Sequence, residues 1–326
     1  ALSVIVMFHL ARRITRDDGR ALLAAAFLAC APVMVAESKL CTVDALLLLL
    51  LLLSFTGLWR IFEGPCLDRY KALFWAALAL AVLTKGPVAL AAVFAAVFVM
   101  LLLSRDRSFL ARMGAPWGVM LMVIIISPWV LAVQEKTGGE FLRVALGKHV
   151  VGRSRAAMEG HSGFPGFYIV TLFATFFPWA FFVPGALWDA ARGLRDRKRE
   201  IFLIAWAVGL VIVLELVKTK MVHYALPVFP ALSILVADFV MRSRERRDRR
   251  MMWRIISATA MAVILGAGLP VASYLYGFKR AVVPFAVGGI VLIAGMAWWI
   301  VLARRWSAVA VLAALSASFL WLFVTV

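Results

Sequence analysis

The sequence predicts an all-α fold: a polytopic transmembrane helical bundle of about 11 spans, preceded by a partial first span. Three observations predict it. Of 326 residues, 64% are hydrophobic and 16% charged, against about 45–50% and about 25% in a soluble domain. Apolar runs recur along the whole chain, and many approach the ~20 residues that an α-helix needs to cross hydrocarbon. Runs such as Ala45 to Leu53 are continuously apolar, whereas a membrane-barrel strand alternates apolar and polar positions.

Taken in order, the partial span covers 1–10. The full spans are expected at 20–36, 43–60, 70–84, 87–103, 116–133, 167–187, 201–217, 222–241, 253–276, 282–302 and 306–326. The 70–84 run is short and is followed directly by Gly86-Pro87, a turn pair between two apolar stretches. No internal repeat and no low-complexity linker interrupts the pattern, so residues 1–326 read as one transmembrane domain. Its only long non-apolar stretch is a loop at about 134–166. Loops of that length are usually functional or disordered. This one mixes Phe, Leu, Val, His and Arg, and is expected to be ordered, with a helix across 139–151. The chain starts at Ala1 inside one apolar run and stops at Val326 inside another, which reads as an N-terminally truncated fragment.

Basic residues decide orientation, because Lys and Arg accumulate in cytoplasmic loops. With the loop at 11–20 inside, strict alternation also places 60–71, 104–115, 188–200, 242–252 and 303–305 inside. With residues at the span edges included, that side then holds 24 of the 35 Lys and Arg, including the tract from Arg242 to Arg250. Merging 70–84 with 87–103 would invert every later loop and lose this bias. The net charge of +18 is thereby explained by topology. Nucleic-acid binding is not expected, since the basic residues are scattered over short loops rather than gathered on one face. Cys30, Cys41 and Cys66 match neither a disulfide framework nor a metal-ligand spacing, and read as packing residues.

Four polar clusters fall on the opposite, outer side. Glu37-Ser-Lys-Leu-Cys-Thr-Val-Asp44 places Asp44 where a loop enters a helix. It reads either as a carboxylate satisfying a helix start or as one that binds a cation or takes a proton from an acceptor hydroxyl. Lys85, within Thr84-Lys-Gly-Pro87, is the only charge between Lys71 and Arg105. It either snorkels to the surface or fixes a positive charge for a lipid-borne phosphate. Lys148-His149…Arg153-Ser-Arg155, followed by His161, is either a solvated basic loop or a phosphate site built on the donor fork of Arg. Lys218-Thr-Lys220…His223-Tyr224…Pro227 is either an interfacial anchor or a head-group site. Lys220 and Tyr224 would share a face if that segment is helical, and Glu215 could pair with Lys218. Together the clusters describe a site for an anionic, lipid-borne substrate at the outer leaflet.

The shared order of these residues resembles a known family. It comprises Glu37…Asp44, Leu83-Thr-Lys-Gly-Pro87, Ser127-Pro-Trp129, Lys148-His149…Arg153, His161…Phe177-Pro-Trp179 and Lys220…His223-Tyr224…Pro227. The family is the polyprenyl-phosphate-sugar-dependent glycosyltransferases, which include the aminoarabinose transferases of lipid A and the protein O-mannosyltransferases. The resemblance covers about residues 11–240. It implies a GT-C fold in a bacterial inner membrane, with the active site facing the periplasm. It implies inverting transfer of a sugar from a polyprenyl-phosphate carrier to a lipid (lipid A-like) or protein acceptor, among membrane lipids. Asp44 and Lys85 are then catalytic candidates. Lys85, His149, Arg153, Lys220, His223 and Tyr224 surround the carrier phosphate and substrate. A divalent metal ion, if used, would find Asp44 and His149. The family's first acidic residues follow its first transmembrane helix, upstream of Ala1, so residues 1–326 alone are expected to be inactive. The spacing from His149 to Arg153 is one residue longer than in some relatives, and Arg155 could take the role of Arg153.

Two other readings stand beside this one. A transporter or flippase for a lipid-linked anion would show repeats and mid-membrane charges or broken helices; here the charges gather at one surface. A membrane subunit without chemistry would use the outer loops to bind partners. Losing transfer on replacing Asp44 and Lys85 separates the enzyme from both.

Overall fold

The computed structural model describes residues 1–40, 42–141, 163–192, 194, 197–245, 260 and 271. As expected, the described chain is helical. It begins with α1 (Leu2–Thr15), α2 (Asp18–Ala29), α3 (Pro32–Leu40) and α4 (Val43–Glu63). There follow α5 (Asp68–Lys85), α6 (Val88–Leu103), the short α7 (Ser108–Arg112) and α8 (Ala115–Lys136). Beyond the outer segment lie α9 (Phe167–Thr175), a 3-10 turn at Trp179–Phe182 and α10 (Val183–Ala191). The last elements are α11 (Lys198–Leu216), a 3-10 helix at Val222–Val228 and α12 (Phe229–Glu245).

Among the described residues, three helical stretches are long and apolar enough to cross a membrane: Val43–Glu63, Ala115–Lys136 and Val222–Ser243. A fourth is counted if α2 and α3 form one span bent by 58°. The expected figure of about 11 is therefore not reached there. The reasons are physical. Helix α6 has 16 residues, about 24 Å at 1.5 Å per residue, short of the ~30 Å hydrocarbon core. Helices α5 and α11 are longer, but carry charged first turns at Asp68-Arg69 and Lys198-Arg199-Glu200. The expected spans at 253–276, 282–302 and 306–326 lie outside the described residues.

Two expected spans are broken. The 20–36 run divides at Cys30-Ala31, and Pro32, which lacks an N–H, opens α3. The 167–187 run divides at Phe176-Phe177-Pro178, where a cis peptide bond precedes Pro178. The first helix is also longer than the apolar run 1–10. It continues through Arg12 and Arg13, whose charges suit a helix C-terminus. It ends at Arg16, which takes the left-handed conformation, and Asp17 then caps α2 by accepting from Arg20 N at 2.7 Å.

Helices α4 and α5 form an antiparallel hairpin through Gly64-Pro65. Their approach needs Gly57: a Cβ there would lie 2.6 Å from the Tyr70 carbonyl and 2.8 Å from Phe74 N. Gly209 similarly lets α11 meet the α6 backbone at Ala95. Small residues at crossings are the usual means of helix association in membranes. Aromatic rings fill the interior: Phe55 stacks on Trp206 at 3.9 Å and Phe27 on Trp179 at 4.0 Å. The Trp206 indole N–H donates to Pro227 O at 3.0 Å, tying α11 to the 3-10 helix.

The 21 residues of α4 span about 30 Å, and charge collects at both of its ends. At the C-terminal end, Lys198 donates to Phe62 O and Glu63 O, and Arg112 to Ile61 O. These cations satisfy the last carbonyls of α4. Asp106, in the loop after α6, holds both cations. Hydrogen bonds from Ser108 and Lys198 keep its carboxyl well below the usual carboxylate range. Beside them, Arg20, Arg199 and Arg242 interleave with Asp189, Glu200 and Asp238 and clamp α2, α10, α11 and α12. This is the end that the positive-inside bias assigns to the cytoplasm.

Candidate functional site

The other end of α4 carries the second polar cluster. Asp44 lies in the first turn of α4, after the N-cap Thr42, and is 6% exposed. The Thr42 hydroxyl does not cap the helix; it donates to Glu37, which is 4% exposed. The α4–α5 hairpin returns the chain to the same end, where the Lys85 ammonium bonds Asp44 Oδ1. Asp44 thus occupies the helix-start position offered by the sequence. It sits at a helix start, where the macrodipole favours a carboxylate, and its ion partner is a lysine 41 positions away.

The 3-10 helix Val222–Val228 packs over this pair. His223 stands between the two carboxylates, with Nδ1 3.7 Å from Glu37 Oε1 and Nε2 3.8 Å from Asp44 Oδ2. Those distances exceed hydrogen-bond length but lie within ion-pair range for a protonated ring. The Tyr224 ring lies 4.4 Å from Lys85 Nζ, a cation–π contact, and meets His223 edge-on at 4.9 Å. Lys85 therefore has one donor on Asp44 and its charge over Tyr224. An ammonium has three donors, and this side chain is 20% exposed. A phosphate oxygen arriving at this surface can be received there.

Lys220 is placed differently from the expectation. The segment is extended before Val222, so Lys220 and Tyr224 do not share a helix face. Lys220 turns to Glu215 and to Phe164 O at 3.3 Å, and is 7% exposed. Glu215 pairs with Lys220 rather than with Lys218, because α11 stops at Leu216. The same carboxylate accepts from Gly166 N at 3.1 Å and Tyr168 N at 2.9 Å, at the start of α9. Gly163 is needed beside it, since a Cβ would lie 2.7 Å from the Lys220 side chain. Glu215 and Lys220 thus fasten the C-terminal root of the outer segment to the end of α11.

The structure brings together Asp44, Lys85, His223 and Tyr224, and places Lys220 on the neighbouring anchor. His149 and Arg153, with Lys148, Arg155 and His161, lie outside the described residues, as does most of the expected helix across 139–151. Glu37 stood in the first cluster without a role, and proves to be the second carboxylate facing His223. A signal for the Asp44–Lys85 contact was present in the sequence. A hairpin turning at Gly64-Pro65 sets side by side the residues equidistant from it, and both lie 20 positions from that turn.

Among the described residues, no three His, Cys, Asp or Glu side chains form a group able to hold a metal ion, and the Lys85 ammonium already occupies Asp44 Oδ1. His149, the other ligand expected from the sequence, lies outside the described residues.

Comparisons with known proteins bear on the fold. A family model described as dolichyl-phosphate-mannose-protein mannosyltransferase matches residues 1–131. An uncharacterized protein of Aquifex aeolicus (strain VF5) is 27% identical over 80% of this chain and 52% of its own length. The undecaprenyl phosphate-alpha-4-amino-4-deoxy-L-arabinose arabinosyl transferase of Edwardsiella ictaluri (strain 93-146) is 27% identical over 74% of this chain and 44% of its own length. The chain thus spans about half the length of the curated relatives it matches. Among solved structures, ArnT from Cupriavidus metallidurans bound to undecaprenyl phosphate superposes with a TM-score of 0.84 at 24% identity, over 99% of this chain and 60% of that one. Its apo state gives 0.81 at 25% identity, over 99% of this chain and 59% of that one. The all-α, GT-C-like membrane fold expected from the sequence is the observed fold, and the chain is an integral membrane protein similar to the aminoarabinose transferases.

Proposed function

We propose that this chain carries the carrier-phosphate portion of a membrane glycosyltransferase. In this reading the enzyme lies in the bacterial inner membrane as a single transmembrane domain over residues 1–326, with about eleven crossings and the site toward the periplasm. It moves a sugar from a polyprenyl-phosphate carrier to a lipid (lipid A-like) or protein acceptor, with inversion. The observation that carries the proposal is the Lys85–Asp44 pair under Tyr224 and His223, at one end of a bundle similar in fold to a transferase bound to undecaprenyl phosphate.

The chemistry asks for such a group. The acceptor oxygen attacks the anomeric carbon as the bond from that carbon to the carrier phosphate breaks. Both electrons of the broken bond leave on the phosphate oxygen, and the acceptor's proton passes to a base. Charge therefore grows on the carrier phosphate in the transition state, and a fixed cation aimed there lowers the barrier. Lys85 supplies that cation. Asp44 orients it and holds the carboxylate nearest the acceptor side. Tyr224 and His223 flank the phosphate, and His149 and Arg153 of the outer segment complete its binding. Lys220, engaged by Glu215, serves the phosphate site by fixing the root of that segment. A divalent ion shared by Asp44 and His149 would have to displace the Lys85 ammonium, and transfer under chelation tests that option.

The test is transfer by the full-length protein from a defined polyprenyl-phosphate sugar, followed by mass spectrometry of the acceptor. Lys85→Ala and Asp44→Asn should each lower the rate by about 100-fold or more, as loss of a charge-stabilising group does, at normal expression. Unchanged transfer in both variants would sink the assignment.

A further inference from the structure

A second anion-facing feature lies at the opposite end of the bundle. One face of α6 presents Phe94, Phe98 and Leu102, spaced four apart, at 47%, 61% and 68% exposure. That spacing draws one stripe along the helix. The stripe runs down to Leu101, Leu102, Leu103, Ser104, Arg105 and Arg107, which line an open cavity of about 530 Å³. The end is the inner one, because Asp106 between the two arginines meets Lys198, which also binds the last carbonyls of α4.

Charge in this turn is sorted by direction. Asp106 points inward and is taken up by Ser108, Arg112 and Lys198. Arg105 and Arg107 are exposed, and neither has an acidic partner among the described residues. The turn that presents them is held by Ser104, whose hydroxyl accepts from Asp106 N at 3.1 Å. Leu110 N donates to the Arg107 carbonyl at 3.2 Å. Two fork-shaped guanidinium groups on a fixed turn match the oxygens of a phosphate, and an apolar stripe rising from them matches an acyl chain.

We propose that Arg105 and Arg107 bind the phosphate head group of an anionic phospholipid of the cytoplasmic leaflet, whose acyl chain lies along Phe94, Phe98 and Leu102. The occupant follows from position and charge. The cavity lies at the inner end of α6, its wall is apolar, and its polar rim carries two positive charges without an acidic partner among the described residues. This site is separate from the outer-face site and does not depend on the transferase reading.

The test is native mass spectrometry of the full-length protein released from nanodiscs, counting retained lipids. Parallel discs hold phosphatidylglycerol or phosphatidylcholine, and a further sample receives inorganic phosphate alone. The wild type should retain phosphatidylglycerol preferentially. The double variant R105Q/R107Q should lower that retention roughly 10- to 30-fold, the usual strength of two basic residues at an anionic surface. R105K/R107K keeps both charges, and so the membrane orientation, and should retain more lipid than R105Q/R107Q. Equal retention of both lipids, unchanged retention in R105Q/R107Q, or inorganic phosphate displacing the lipid would overturn the proposal. So would an equal loss in R12Q/R16Q, which removes two charges from the same end, because that would show diffuse attraction rather than a site.

Discussion

Lys85→Met isolates what the Lys85–Asp44 pair contributes to the fold. The substitution keeps the length of the side chain and deletes its charge, leaving the Asp44 carboxylate 6% exposed without its ammonium. Breaking a buried pair from one side typically destabilises by about 3–5 kcal/mol. The His223 ring remains 3.8 Å from the other oxygen of Asp44 and can turn an N–H toward it, so the lower end, about 3 kcal/mol, is expected. Asp44→Asn should cost less, about 1 kcal/mol, because the Lys85 side chain is 20% exposed and can turn toward water. The double variant buries no unpaired charge and should cost about 2 kcal/mol. The coupling between the positions is then about 2 kcal/mol in size, roughly a 30-fold change in the folding equilibrium. Reversible unfolding in mixed micelles, followed by tryptophan fluorescence, measures all four proteins. Additive effects, with a coupling within about 0.3 kcal/mol of zero, would refute the pairing.

Three further outcomes follow from other contacts. Glu215→Gln should loosen the root of the outer segment, since one carboxylate serves Lys220, Gly166 N and Tyr168 N; hydrogen exchange at 166–168 should accelerate by about tenfold or more, while α4 is unaffected. Gly209→Ala should destabilise by about 1–3 kcal/mol, because the new Cβ would meet the Ala95–Ala96 backbone at 2.8 Å and backbone cannot give way as a flexible side chain can; a neutral result in the same unfolding assay would contradict this crossing. The Asp106 carboxyl is held below its ordinary range in the folded chain, so its stabilising effect is complete above the ordinary Asp value and fades as pH falls through the lower, folded one. Wild type and Asp106→Asn should therefore differ in thermal midpoint at neutral pH and converge in strong acid, and a difference that grows with acid would invert the sign.

Much of the helical frame was legible because hydropathy reports lipid-facing length directly. The runs 43–60, 70–84, 87–103, 116–133 and 201–217 each coincide with one helix, displaced by a few residues at the ends. The breaks were hidden for the same reason. Pro32 and Pro178 change hydrogen bonding without changing hydropathy, so α2–α3 and α9–α10 read as unbroken spans. Pro227 lies within the 3-10 helix Val222–Val228, and again the run 222–241 looked uniform. Orientation was legible through Lys and Arg, which predicted that Asp44, Lys85 and His223 lie on one side; the structure puts them in contact. Their pairing was harder, because alternation assigns a face and not a neighbour. Lys220 shows the limit most clearly. Sequence spacing offered Lys218 to Glu215 and Tyr224 to Lys220, but both inferences assumed a helix where α11 has already ended at Leu216.

Whether the Asp44–Lys85 end of the bundle receives a carrier phosphate is decided by one binding measurement. Polyprenyl monophosphate and the corresponding uncharged polyprenol would be titrated onto the full-length protein in detergent, alongside Lys85→Met and R105Q/R107Q. Wild type should prefer the phosphate over the alcohol, Lys85→Met should lose most of that preference, and R105Q/R107Q, at the opposite end, should keep it. Equal binding of phosphate and alcohol by wild type, or a preference undiminished in Lys85→Met, would contradict such a site.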